Sequence, residues 1–324
     1  MKILDNNLAY IVAQLNSDKF QHSATLSEKL NIPLAEISQA IKKLYDYGVV
    51  ITSSNKQGYR LAEPLVLLNE ERIKKLVKNK ISIKVLETIS STMDYFTTDI
   101  AEKQIQACFA EVQTAGRGRF NRYWHALFGQ NINLSLQYRF TQDASQLTGL
   151  SLVVGLSVCH TLKKYNLNKP LQIKWPNDLI YDNKKLGGIL VESRAVNNRL
   201  CSVIIGIGIN VNLLNDQQIT QPWTSLRKVT GKIIDRNRLG AQLLDDLPKH
   251  INTFLDIGLD YFMQRWKSVD YLYGQYITIS DSNNKISGVV QGIDQQGYLI
   301  LKQKNGNIIL CSSGDITIVK PPIQ

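Results

Sequence analysis

The chain has 324 residues, with 38 Lys and Arg against 27 Asp and Glu and a formal net charge of +11. Apolar residues at 44% and charged residues at 20% exclude collagen-like, low-complexity and disordered chains, and the length suits two or three domains of ~100–200 residues. The charge implies acidic partners such as nucleic acid, nucleotide phosphates or acidic proteins, yet residues 1–65 and 271–324 carry only +1 each, so an excess of +9 lies between them.

Residues 1–65 predict a small helical domain. Thr25 to Glu28 has capping-box spacing, opening a short helix that ends at Asn31. Pro33 suits the first turn of the next helix, where its missing N–H costs little. Ile37, Ala40, Ile41 and Leu44 then fall at i, i+3, i+4 and i+7, a buried stripe closed by Gly48. Two helices joined by a tight turn, followed by a strand, a turn at Asn55–Gly58 and a returning strand, predict a winged helix-turn-helix. In a DNA-binding reading, Lys42 and Lys43 lie on the second helix and Lys56 and Arg60 of the wing reach phosphates. Glu36 offsets the helix charge, and a domain used for protein contacts fits the same pattern.

Residues 66–80 predict a charged connecting helix, after which strands and helices alternate. Strands are expected at Ile81–Leu86, Cys108–Gln113, Asn131–Tyr138, Leu171–Trp175, Leu186–Glu192 and Val203–Asn210, and helices at Thr92–Glu102, Leu147–Tyr165 and Arg238–Asp256. A hairpin at Tyr181–Lys184 makes the class α+β rather than doubly wound. The uncharged stretch 144–162 contains Ser145, Gln146, Ser151, Ser157 and His160, so it suits a core helix rather than a membrane span of ~20 predominantly apolar residues. From Gly274, turns at Ser282–Asn284, Gln296–Gly297 and Asn305–Gly306 predict a small antiparallel barrel. Cys108, Cys159, Cys201 and Cys311 form no CxxC pair and read as reduced core residues. With no signal-peptide features at the N-terminus, a cytoplasmic protein without a membrane partner is expected.

Three clusters carry chemistry. QTAGRGRFNRYW (Gln113–Trp124) combines glycines, which admit close approach of an anion, with the planar forks of Arg117, Arg119 and Arg122. It is neither a Walker loop nor a Rossmann fingerprint, and a solvated basic loop has the same spacing. IKWPNDLIYDNKKLGGILVES (Ile173–Ser193) sets Asn177 and Asp178 at a strand end and Lys185 before Gly187–Gly188. GIGIN (Gly206–Asn210) ends an apolar strand on an asparagine that either meets a ligand or caps a turn.

SSTM (Ser90–Met93), QTAGRGR, KWPND, KKLGGILVE and GIGIN, in this order and spacing, resemble biotin–protein ligases over nearly the whole chain. With a winged helix in front and a small barrel behind, the chain is similar to the bifunctional bacterial type, ligase and biotin operon repressor in one. The resemblance implies an N-terminal DNA-binding domain (1–65), a biotin- and ATP-binding catalytic domain with a class II synthetase-like mixed sheet (66–270), and a C-terminal SH3-like barrel (271–324). It places Ser91, Thr92, Gln113, Gly116, Arg117 and Lys185 at biotin, and Arg119, Arg122, Trp124, Asn177, Asn210 and Trp223 at ATP or the adenylate. Arg119, Lys185 and Asp178 take the catalytic roles. Mg²⁺ is expected near Asp178 and Asn210 without direct protein ligation. Met93 stands where many relatives have Asn, bearing on one polar contact near biotin. Phe120–Asn121 replace an Arg–Gly pair, removing a charge and a flexible hinge from the loop.

The implied partners are ATP, biotin, the biotin carboxyl carrier protein domain of acetyl-CoA carboxylase, operator DNA and, with biotinyl-AMP bound, a second copy of the chain paired near Leu186–Glu192. A lipoate-attaching ligase shares the α+β core, but KWPND and QTAGRGR argue against it. A non-catalytic biotin sensor would have no use for Arg117, Arg119, Lys185, Asp178 and Asn210 together. His22, His125, His160 and His250 are scattered and read as structural.

Overall fold

A computed structural model describes residues 8–96, 105–140, 147–197, 200–280 and 285–319, without the side chains of Phe140, 194–197 and 200–201. Three helices, α1 (Leu8–Gln14), α2 (Ser23–Leu30) and α3 (Leu34–Asp46), precede a hairpin of β1 (Ile51–Ser54) and β2 (Gly58–Leu61). The stripe Ile37, Ala40, Ile41 and Leu44 is buried as its spacing predicts. α1 lies outside the predicted elements, although Leu8, Ile11, Val12 and Leu15 repeat the same spacing and are all buried.

No Thr25–Glu28 capping box forms. Gln21 and Tyr59 exchange backbone hydrogen bonds of 2.8 and 2.9 Å, which hold the chain extended up to His22. The helix starts at once, at Ser23, and Thr25 falls inside it. Pro33 precedes the first turn of α3 rather than entering it. Gly58 has φ +93°, and a Cβ there would meet the Gln21 carbonyl at 2.1 Å, so the crossing of hairpin and helix requires glycine.

The connecting helix is shorter than expected. α4 covers only Glu70–Leu76, because Asn69 caps it by accepting from the Arg72 N–H at 2.8 Å. Upstream, the backbone is claimed by side chains of the central domain. Val66 O accepts from Arg236, Leu67 O accepts from Asn237, and the Leu68 N–H donates to Glu111.

The centre is a seven-stranded mixed sheet in the order β3-β4-β5-β9-β8-β7-β6. Its strands are β3 (Ser82–Ile89), β4 (Gln106–Gln113), β5 (Asn131–Phe140), β6 (Gln172–Lys174), β7 (Asp178–Tyr181), β8 (Lys184–Asn197) and β9 (Leu200–Asn210). β3 and β4 run parallel and all other neighbours antiparallel. α5 (Leu150–Leu162) and α7 (Arg236–Ile257) pack on each other, with α5 also against β6 and β8. The expected Thr92–Glu102 helix is a 3₁₀ turn over Thr92–Tyr95 that ends in extended backbone at Phe96; 97–102 lie outside the described residues. Leu186–Glu192 is not a simple edge. Gly187 and Gly188 pair with both β7 and β9, and only beyond Ile189 is β9 the sole paired neighbour among the described residues.

α6 (Leu226–Thr230) and α8 (Met263–Lys267) flank α7. The C-terminal segment is a five-stranded antiparallel sheet of β10 (Tyr276–Ser280), β11 (Lys285–Ile293), β12 (Leu299–Lys302), β13 (Ile308–Cys311) and β14 (Asp315–Ile318), in the order β13-β12-β11-β10-β14. Its core residues Ile277, Val290, Leu299 and Leu301 are continuous with those of α5 and α7. The Ser282–Asn284 turn lies outside the described residues. Cys108, Cys159 and Cys311 are buried and unbridged. Burial pushes the Cys108 and Cys159 thiols up to about 12, which suits inert core residues; the Cys201 side chain is not among those described. Among the described residues no helix is long and apolar enough to cross a membrane.

Candidate active site

The floor of the site is built from glycines at alternate positions of β9. A Cβ on Gly206 would lie 3.0 Å from Met93 Sδ, and one on Gly208 would lie 2.4 Å from the Trp124 indole. The strand is thus cleared for two large side chains to rest on it. Trp124 is fixed there by its Nε1–H, which donates to Asn133 Oδ1 at 3.0 Å, and by its N–H, which donates to Gly116 O at 2.9 Å. Met93 is 3% exposed and supplies an apolar wall.

Beside this floor lies a buried polar network. Gln113 Oε1 accepts from the Thr92 N–H (2.7 Å) and from Thr92 Oγ1 (3.1 Å), and the Thr92 and Ser135 hydroxyls share a 2.7 Å bond. Ser91 caps the 3₁₀ turn by accepting from the Met93 N–H at 3.4 Å. Buried groups already paired to each other keep a fixed geometry, which suits recognition of a polar ring.

The opposite wall is cationic. Arg117 pairs with Asp94 (3.2 Å) and Glu192 (3.4 Å), Arg122 with Asp315, and Lys185 with Asp178 (2.7 Å). Lys174 Nζ donates to Ile316 O at 3.2 Å, which brings the C-terminal sheet to the cavity. Arg119, unlike Arg117, Arg122 and Lys185, has no carboxylate paired to it among the described residues. Its guanidinium sits 4.8 Å from the Phe120 ring centroid. Burial pulls Arg119 below its ordinary value, Asp178 and Asp315 pull it back, and a guanidinium stays charged throughout. Burial likewise lowers Lys174, with Asp178 and Asp315 opposing. Phe120 and Asn121 both hold φ +55°, a left-handed conformation uncommon for residues with side chains.

Ser91, Thr92, Gln113, Arg117, Arg119, Arg122, Trp124, Asn177, Asp178 and Lys185 thus converge on one cavity of ≈ 250 Å³. Gly116 lines the adjoining cleft under the arginine loop. Asn210 and Trp223 stand outside the lining. The Asn210 amide is 2% exposed and occupied, accepting from Asn131 at 2.9 Å and donating to Thr224 O at 3.1 Å. Trp223 lies behind Lys185, with Lys228 Nζ 3.6 Å from its ring centroid. Among the described residues no three His, Cys, Asp or Glu cluster to hold a metal.

Several lining residues escaped the sequence reading. Asn133 and Ser135 belong to a period-two polar face, Asn131–Asn133–Ser135–Gln137, whose burial is the signal that it lines something. Lys174 lay within KWPND. Asp315 and Ile316 arrive from another sheet, and no local pattern announces them. Away from the cavity, Lys42 and Lys56 are exposed, Lys43 leans over Tyr47 (5.7 Å), and Arg60 packs on Phe20 (4.9 Å).

Residues 85–210 match the Biotin/lipoate A/B protein ligase family, and 273–319 match the Biotin protein ligase C terminal domain. The bifunctional ligase/repressor BirA of Escherichia coli is 35% identical over 95% of this chain and 96% of its own length. The same-named protein of Bacillus spizizenii is 29% identical over 94% and 95%. A biotin protein ligase from Aquifex aeolicus, solved in complex with biotin and ATP, superposes with a TM-score of 0.63 at 26% identity, covering 74% of this chain and 99% of that one. Sequence relationship across nearly the full length of both chains, together with the site geometry, places this chain in the biotin protein ligase family, among its bifunctional ligase/repressor members.

Proposed function

We propose that the chain is an ATP-dependent biotin–protein ligase that activates biotin to biotinyl-5′-AMP, transfers it to a lysine of a biotin carboxyl carrier domain, and represses biotin-synthesis genes when the adenylate is bound. The observation that carries the ligase reading is Arg119, a half-buried cation facing the cavity with no carboxylate paired to it among the described residues. Such a charge is satisfied by an incoming anion.

The chemistry must bring two anions together. The biotin carboxylate attacks the α-phosphorus of ATP, a phosphorus–oxygen bond breaks, and pyrophosphate leaves. Arg117, Arg119, Arg122, Lys174 and Lys185 screen the repulsion and stabilise charge growing on the phosphate oxygens. The Thr92–Gln113–Ser135 network holds the ureido ring, with Ser91 and Gly116 beside it. A carrier lysine then attacks the acyl carbon and AMP departs. That amine must be neutral, and a desolvated cationic cavity lowers its pKa. Asp178 accepts its proton in this reading. Among the described residues no three His, Cys, Asp or Glu cluster to hold a metal, so a Mg²⁺ would be carried by the phosphates, with Asp178 the carboxylate expected beside it; the Asn210 amide is already engaged by Asn131 and Thr224. When bound, that ion neutralises phosphate charge.

The three helices and hairpin of the N-terminal segment support a winged helix-turn-helix over 1–65, and the five antiparallel strands support an SH3-like barrel over 271–324, with the catalytic domain at 66–270. Lys42, Lys43, Lys56 and Arg60 are the DNA-facing residues of this reading, with Lys42 and Lys56 the better exposed. Ligand-dependent homodimerisation would present two such domains to a palindromic operator. Relatives named for biotin rather than lipoate favour biotin as substrate. Transfer of labelled biotin to an acceptor domain, run beside lipoate, tests the ligase; absence of biotin transfer overturns it. A gel shift on the promoter of the biotin-synthesis genes, with and without biotin and ATP, tests repression; absence of a ligand-dependent shift removes that claim.

A further inference from the structure

The segment that follows β9 returns to the rim of the cavity, which Gln221 lines, and its two ends are firmly held. At one end the Val211 and Asn212 N–H groups donate to Gln130 O at 3.2 and 2.8 Å. At the other, Pro222 O accepts from the Lys185 N–H and the Thr224 N–H donates to Lys185 O, at 3.0 and 2.9 Å. Between Leu214 and Gln221, one side-chain tie reaches the body of the protein among the described residues. It is the bond between Asp216 Oδ2 and His125 Nδ1.

The placement of that tie is informative. His125 follows Trp124, whose indole is clamped between Gly208 and Asn133, so the imidazole stands on a rigid mount at the foot of the arginine loop. The Asp216 side chain is only 3% exposed. Without the histidine its carboxylate would keep only the Gln218 N–H of its own turn (2.9 Å) and would have to turn out to water. Gln221, five residues on, lines the cavity.

We infer that His125 and Asp216 are a positioning pair that braces residues 214–221 against the arginine loop and so sets the affinity of the site for nucleotide. Neither residue touches the reacting atoms. The inference rests on the ligase reading and adds two residues to it.

Biotin-dependent pyrophosphate–ATP exchange by the full chain, with His125→Ala, Asp216→Asn and the double variant, tests the pair. Each single variant is expected to raise KM for ATP about tenfold with kcat and KM for biotin within about twofold, and the double variant to lose no more than the worse single. Subtilisin cleavage within 214–221 of the ligand-free protein is expected to quicken at least about fivefold in each variant. Unchanged KM for ATP and unchanged cleavage, or equal rises in KM for ATP and biotin, overturn the inference. A wild-type chain without exchange activity counts against the ligase reading instead, and the cleavage pattern still decides whether the pair braces the segment.

Discussion

Arg236 on α7 and Glu111 on β4 form an ion pair of 2.6 Å with side chains 0% and 3% exposed. The guanidinium also donates to Val66 O twice (2.9 and 2.6 Å) and to Asn131 O (2.8 Å), so the pair fastens the segment after the N-terminal helices and hairpin to the seven-stranded sheet. Removing one member of a buried pair leaves the other charge uncompensated. Arg236→Met is expected to cost about 3–5 kcal/mol in urea unfolding, and Arg236→Met with Glu111→Leu distinctly less than the single change.

Lys185 and Asp178 meet across the β7–β8 hairpin at 2.7 Å, about a fifth exposed. The lysine is held in place before any ligand arrives. Lys185→Ala is expected to lower biotin-dependent pyrophosphate exchange by about 100-fold or more, because the proposed reaction sets this preorganised cation at the developing charge. Asp178→Asn, which keeps the shape, should cost less in exchange than in transfer to the carrier. Wild-type exchange by Lys185→Ala would exclude the assignment.

Among the described residues no carboxylate pairs with Arg119, and the proposed reaction gives it the adenylate as its partner. Arg119→Gly is expected to release biotinyl-AMP faster and to label bystander proteins indiscriminately. Mass spectrometry of mixed lysates reads this directly, and unchanged retention would sink the proposed role.

Much of this was legible in the sequence because its signals are local. The α3 stripe and the strands β4, β5 and β9 follow from periodicity, and the arginine loop and KWPND follow from residue type and spacing. What was not legible is set across the chain. α2 begins at Ser23 because Tyr59 holds Gln21, the connecting helix is cut short by Arg236 and Asn237, and Asp315 reaches the cavity from a different sheet. A capping-box pattern cannot know that a strand residue has already fixed the backbone before it. Asn210 shows the converse, since a motif residue at a strand end is engaged by Asn131 of β5 and the Thr224 carbonyl rather than by the cavity.

Gly208 offers a test of the site floor. Because a Cβ would sit 2.4–2.6 Å from two atoms of the Trp124 ring, Gly208→Ala must push the indole toward the cavity. The expected result is a loss of about 1–3 kcal/mol, as for other overpacked sites, with a shift in tryptophan emission and weaker ATP binding. Unchanged emission and binding would mean that the ring has another place to go.

Asp246 on α7 ties that helix to α5. Burial alone would raise its carboxyl, but hydrogen bonds from Lys164 (2.6 Å) and Thr161 (2.9 Å), with the lysine charge, bring it below its ordinary value of 3.8. A depressed folded-state value means the carboxylate stabilises the fold above 3.8 and that this contribution fades as the pH falls through the lower folded value. Asp246→Asn keeps the Thr161 bond and loses the charge, so at pH 7 it is expected to cost about 1–2 kcal/mol. Urea titrations of both proteins from neutral to acid pH check the sign, since the gap between them should close below 3.8. A gap that stays constant well below 3.8 would show that packing, not charge, holds α5 to α7 at this point.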